Sequence, residues 1–227
     1  MTTQRDSKIL TQVGPGTPLG ELMRRYWIPA AMSSEIDPDG PPIRLVLLGE
    51  KLIAWRDTSG RVGVMDHRCP HRCASFYFGR NEHDGMRCTY HGWKFDVDGN
   101  CLDMANVPPH QDFKKKVKAK AYKAEERNGL IWVYMGPKRK APALPEVEAC
   151  LVPEDDLVEY RFVMRECNWL QALEGDIDTS HLSFLHFGGV DREQLESGNA
   201  NKHVVAERAP EYVVEDTEFG VTYGAHR

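Results

Sequence analysis

The sequence predicts an α+β chain in which an all-β module of short antiparallel strands precedes a second module that opens on a strand and a helix. Three observations carry this prediction. Between residues 43 and 66, and again at 130–136, apolar residues cluster in short runs bounded by Gly or Asp, the pattern of half-buried and buried strands. A stretch with Pro137, Pro142, Pro145 and Pro153 and little periodicity follows, which is linker composition. Beyond it, Trp169, Leu170, Ala172 and Leu173 recur at helical spacing in a segment running from Asn168 to His186.

Taken in order, residues 14–34 carry a short helix signal. Thr17 can cap, Pro18 suits a first turn, and Leu19, Leu22, Met23 and Tyr26 share a face, with Pro29 as the stop. DPDGPP at 37–42 is a turn-rich connection. The strands IRLVLLG, KLIAWRD and RVGVMD then form a meander, with a TSG turn between the second and third. Asp98-Gly99 is a hairpin turn after KFDV, and LIWVYMG at 130–136 is a closing buried strand. LVEYRFVMREC at 157–167 alternates as a strand, and residues 204–224 are expected to form strands that open a larger sheet. The expected divisions are 1–42, an N-terminal helical arm; 43–150, the first domain; and 151–227, the second.

Composition sets outer limits. The chain has 227 residues and a formal net charge of −5, enough length for one or two domains. With no basic cluster apart from Lys114 to Lys123, nucleic acid is an unexpected partner. No apolar run approaches the ~20 residues of a membrane span, and MTTQRDSKIL lacks a signal-peptide core. Together with six cysteines that show no disulfide pattern, this points to a reducing, cytoplasmic location.

The chemistry concentrates in two short boxes. Cys69-Pro70-His71 is followed, after 16 residues, by Cys88-Thr89-Tyr90-His91. One Cys and one His from each of two loops suit a [2Fe–2S] centre in which cysteines hold one iron and histidines the other. Zinc is the competitor, but zinc fingers pair Cys with Cys and His with His along the chain. Gly92, Trp93 and Phe95 complete the second box, CTYHGWKF.

A second constellation follows: Glu174, Asp178, His181 and His186 in the pattern E-x3-D-x2-H-x4-H. Two histidines with nearby carboxylates suit non-haem Fe(II). Asp178 and His181 share a helix face, but His181 and His186 lie about 140° apart on a regular helix. Both reach one metal only if the helix ends or bulges, as a π-type turn near Phe184 would allow. Asp176, five residues before His181, points elsewhere on a regular helix.

CPHRCA, CTYHGWKFDVDG and NWLQALEGDIDTSHLSFLH resemble the Rieske-type aromatic ring-hydroxylating oxygenases, and the last resembles their phthalate dioxygenase branch. The resemblance implies an N-terminal Rieske [2Fe–2S] β-sandwich domain, then the start of a helix-grip (START-like) catalytic domain truncated at its C-terminal end. It implies that Cys69, His71, Cys88 and His91 ligate the cluster and that His181 and His186 hold a mononuclear iron. It also implies that Asp178 bridges a cluster histidine and an iron histidine across subunits of a homotrimer or dimer of trimers, with Asn168 and Glu174 near the site. Respiratory Rieske proteins add a cysteine to each box and join the two in a disulfide. Cys73 has no counterpart in the second box, so no brace is expected and the potential should be lower.

The implied function is the oxygenase component of a two-component system. It would use O2 and electrons from an NADH-dependent flavin/iron–sulfur reductase to hydroxylate an aromatic, phthalate-like carboxylate. A monooxygenase or O-demethylase of the same metals is the alternative, and an electron-transfer module without catalysis is the reading from another class. The family's third iron ligand, a carboxylate, lies far beyond the histidines, and Asp191, Glu193, Glu207 and Glu215 do not match its context. The lysine run is either a solvated face or a docking patch for an acidic electron donor.

Overall fold

Strands β1 (Trp27–Met32), β2 (Ile43–Leu47), β3 (Glu50–Arg56), β4 (Val62–Asp66), β9 (Ala121–Arg127) and β10 (Leu130–Tyr134) form one antiparallel sheet, ordered β1-β10-β9-β4-β3-β2. A smaller sheet joins β5 (Arg80–Glu82), β6 (Gly85–Arg87), β7 (Trp93–Phe95) and β8 (Cys101–Met104) in sequence order. The computed structural model describes residues 3–153, 159–218 and 220–227. It divides the chain into two units, Met1–Met164 and Arg165–Arg227.

The first unit is built around β3, which is buried on both faces. Ile53 and Trp55, both fully buried, pack with Met65, Phe76, Met86 and Phe95 between the two sheets. Leu52 and Ala54 face a second cluster with Val64, Ile131 and Val133. Burying a Phe or Ile side chain of this kind contributes about 1.5–3 kcal/mol, so the paired cores set the spacing of the sheets. Asn81 ties the small sheet to the large one, its Nδ2 donating to the carbonyls of Arg56 at 2.7 Å and Gly40 at 3.0 Å.

The expected meander is present as β2, β3 and β4, and LIWVYMG contains β10, buried throughout. The Asp98-Gly99 turn also forms, with Gly99 at φ +81° and its N–H donating to the Asp96 carbonyl. The N-terminal region differs from the expected helical arm. Helices α1 (Gln4–Thr11) and α2 (Pro18–Met23) form, the latter capped by Thr17 with Pro18 in its first turn. Residues 27–32 are instead a strand at the edge of the sheet, because Trp27 and Ala31 bury there against β10. An edge position also tolerates Pro29, which sits at a shift in register.

The second unit contains helices α3 (Trp169–Ile177) and α4 (Asn201–Ala206) and the hairpin β11 (Glu211–Thr217) and β12 (Gly220–His226). The strand expected at 157–167 does not form among the described residues 159–167, which carry no regular structure. Residues 157 and 158 lie outside the described residues. Alternation there had no neighbour to pair with, so tertiary context overrode propensity. Residues 204–206 are the end of α4 rather than strand, and strands start at Glu211.

Candidate metal centres

The two Cys/His boxes form two copies of one backbone loop. In the first, the Cys69 N–H donates to the Ala74 carbonyl and the Cys73 N–H returns to the Cys69 carbonyl, each at 2.8 Å. In the second, the Cys88 N–H donates to the Trp93 carbonyl at 2.8 Å and the Gly92 N–H returns to the Cys88 carbonyl at 3.0 Å. The residue four after each cysteine is left-handed: Cys73 at φ 56° and Gly92 at φ 75°. This conformation is easy for Gly and unfavourable for other residues.

Both loops are braced by the strands that carry them. Arg87, at the end of β6, donates from Nη1 to the Gly92 carbonyl at 2.6 Å and to Asp103 at 2.7 Å, and pairs through Nε with Glu82. Trp93, at the start of β7, donates from Nε1 to Asn106 Oδ1 at 2.7 Å. The sequence reading did not assign these supports. Their one signal was position, since Arg87 and Trp93 flank the second box and a strand end beside a ligand has to be fixed.

The donors converge as like with like. Cys69 and Cys88 are each 2% exposed, and their thiols interact directly. Burial, reinforced by Cys88 and partly opposed by the backbone N–H groups of His71 and Arg72, pushes the Cys69 thiol up to about 12. The rings of His71 and His91 meet edge to face at 4.5 Å, and His71 stacks on Trp93 at 4.4 Å and 6°. Burial, then the charges of His91 and Arg72, lower the pKa of His71, which favours the neutral ligating form. Its Nδ1 is buried without a hydrogen-bond partner. An orphaned ring nitrogen beside a second imidazole, next to a buried thiol pair, is a donor set that fits a two-iron cluster. A single tetrahedral zinc would require all four donors around one point, whereas here thiol meets thiol and imidazole meets imidazole. All six cysteines are free.

In the second unit, α3 ends at Ile177 and a π-helical turn spans Leu182–His186, where the Phe187 N–H reaches the Leu182 carbonyl at 3.0 Å. The helix end and the widened turn bring His181 and His186 to 5.2 Å between ring centroids, although they are on different faces of a regular helix. Buried Ser183 pins the turn by donating to the Val204 carbonyl at 2.9 Å.

Asp178 closes α3 and turns its carboxylate toward Ser180 and His181, with Oδ2 3.3 Å from His181 Nδ1. Hydrogen bonds from the Ser180 side chain and backbone, then from His181, lower its pKa to about 2. Tyr212 of β11 adds a hydroxyl at 3.3 Å, a contact that no local pattern in the sequence announces. Asn168 caps α3, its Oδ1 accepting from the Leu170 N–H at 3.0 Å. Glu174 meets Asp178 through its backbone carbonyl, and Asp176 pairs with Arg165 at 2.9 Å.

Comparison with known proteins matches residues 26–121 to the Rieske [2Fe-2S] domain and residues 133–227 to the LigXa C-terminal domain like family. The 3-chlorobenzoate-3,4-dioxygenase oxygenase subunit of Comamonas testosteroni is 48% identical over 99% of this chain and 52% of its own length. The phthalate 4,5-dioxygenase oxygenase subunit of Pseudomonas putida is 42% identical over 100% and 53%. The 5,5'-dehydrodivanillate O-demethylase oxygenase subunit of Sphingobium sp. (strain NBRC 103272 / SYK-6) is 38% identical over 100% and 52%. The chain spans about half the length of the curated relatives it matches. Among the described residues no helix is long and apolar enough to cross a membrane.

Proposed function

This chain belongs to the Rieske-type oxygenases, and from that premise we propose that it is part of an oxygenase component that hydroxylates an aromatic carboxylate. The observation that carries the reading is the convergence of Cys69 with Cys88 and of His71 with His91 on two matched loops. Bound there, a [2Fe–2S] cluster would supply single electrons, and a mononuclear iron at His181 and His186 would supply O2 activation.

The chain's own residues do the positioning. Cys69 and Cys88 would hold one iron of the cluster, and His71 and His91 would hold the other. The backbone N–H groups of His71 and Arg72 reach the Cys69 sulfur, and bonds to sulfur help set a cluster's potential. Asp178 stays ionised and fixes the tautomer and direction of the His181 ring. Asn168 sets the start of α3 and so the phase of the helix that delivers Asp178. In this reading the cluster domain is residues 43–150 and the iron domain opens within 151–227. A neighbouring copy's cluster histidine completes the bridge to Asp178 in a homotrimer, and a sedimentation series showing only monomer for the full-length protein would refute that assembly.

Electrons would come from an NADH-dependent flavin/iron–sulfur reductase, and the substrate class follows the chlorobenzoate and phthalate relatives. A second reading, O-demethylation of an aromatic ether, has its own support in the dehydrodivanillate relative. Elemental analysis with EPR of the dithionite-reduced protein tests the metal assignment. About three irons per chain with a Rieske signal support both centres, and about two support the cluster alone. Zinc without iron overturns the proposal.

A further inference from the structure

We propose that the exposed turn Phe113–Lys116 is where an acidic electron-transfer protein docks, and that Phe113 and Trp93 form the route from that turn to His71. The proposal rests on the reading of His71 as a cluster ligand.

Two independent observations meet at this turn. The first is a line of rings. Phe113 is 43% exposed, and its ring meets Trp93 edge-on at 5.8 Å. Trp93 is 6% exposed and lies parallel to His71 at 4.4 Å. Two ring-to-ring steps therefore join solvent to the imidazole. Trp93 cannot swing out of line without giving up its 2.7 Å bond to Asn106.

The second observation is charge. Lys114–Lys116 form one 3-10 turn directly after Phe113, closed by the Lys116 N–H on the Phe113 carbonyl at 2.9 Å. Lys114 is paired with Asp112 at 3.0 Å. Lys115, Lys116 and Lys118 are exposed, and none has an ion pair among the described residues. A lysine run on a surface is ordinarily a solvated face. This one follows directly on the outer end of the ring line, on a chain whose net charge is −5. A local positive field of that kind attracts and orients an acidic partner while the rest of the surface does not. In the step itself, one electron leaves the reduced partner's centre and one is taken up at the cluster. No bond forms or breaks.

The test uses the 227-residue chain with its cluster verified by EPR, and a reduced acidic plant-type [2Fe–2S] ferredoxin as the probe in stopped flow. The variant Lys115→Glu/Lys116→Glu/Lys118→Glu should slow reduction by ferredoxin about tenfold at low salt, a gap that closes as salt screens it. Calorimetric titration with oxidised ferredoxin should show affinity weakened by a similar factor. The cationic methyl viologen radical should reduce the variant as fast as the wild type, or faster. Phe113→Leu should slow ferredoxin reduction by a clearly larger factor than it weakens affinity, with the salt dependence unchanged, and a rate that falls only in step with affinity would overturn the ring route. Unchanged ferredoxin rate and affinity in the triple variant would overturn the proposal. So would equal slowing with both donors, which indicates a damaged cluster rather than a lost docking face. A chain that never shows the cluster signal refutes the ligand assignment instead, and the titration with ferredoxin still decides the docking.

Discussion

Replacing Gly92 by alanine should destabilise the first unit by about 2–3 kcal/mol, from two separable causes. Gly92 sits at φ +75°, where a residue with a Cβ costs about 1–2 kcal/mol more than glycine. The new Cβ would also lie 2.8 Å from the Cβ of Ala105, well inside ordinary contact. Relieving such an overlap typically costs about 1–3 kcal/mol. Stiffening of the unfolded chain returns about 0.4–1 kcal/mol. Urea unfolding followed by tryptophan fluorescence measures the result, since Trp27, Trp55, Trp93 and Trp132 all precede residue 165. Ala105→Gly in the same background should recover the steric share, giving a coupling of order 1 kcal/mol in a double-mutant cycle, while the backbone share persists. A Gly92→Ala protein within about 0.5 kcal/mol of wild type, or complete rescue by Ala105→Gly, would refute the reasoning.

The matched position in the first loop predicts the opposite sign: Cys73→Gly should leave stability unchanged or raise it by up to about 1 kcal/mol, measured the same way. Glu50 accepts from Tyr122 at 2.6 Å, pairs with the buried Arg24 at 3.0 Å and also pairs with Lys120. Burial raises its pKa, but the hydrogen bonds of Lys120 and Tyr122 and the charges of Lys120 and Arg24 outweigh burial and hold it below the ordinary value. A lowered carboxylate contributes stability above its unfolded pKa and loses it as pH falls through the folded one. Glu50→Gln should therefore cost about 1–3 kcal/mol at pH 7 and progressively less in acid, read from urea midpoints at several pH values. The Asp178 carboxyl carbon should titrate in NMR near its lowered value of about 2, and a midpoint at the ordinary value of 3.8 would show that the Ser180 and His181 bonds do not form in solution.

The paired Cys/His loops and the strands around them were legible because both are local. IRLVLLG, KLIAWRD and LIWVYMG carry their own period and turn boundaries, and a Cys/His box shows its donors in sequence. The helix break between His181 and His186 was legible by arithmetic, because a 3.6-residue turn cannot place both rings on one side. Residues 27–32 were not, since WIPAAM becomes a strand only by pairing with β10, about a hundred residues on. LVEYRFVMREC misled for the complementary reason, as a strand pattern finds no partner in the described structure. Tyr212 joins Asp178 across 34 residues, and Arg87 supports Gly92 through a backbone carbonyl. Such contacts leave no periodic trace in a sequence.

The β11–β12 hairpin bears on how this chain associates. Among the described residues neither strand has a second neighbour, and Val213, Val214 and Val221 are 54%, 64% and 67% exposed. An open ribbon edge with β-branched side chains is a template for another copy of itself. Either edge would accept a further strand, whether from the same polypeptide or from another copy, and a Val213→Lys change should make the ribbon less prone to pair with itself in concentrated solution, as light scattering would show.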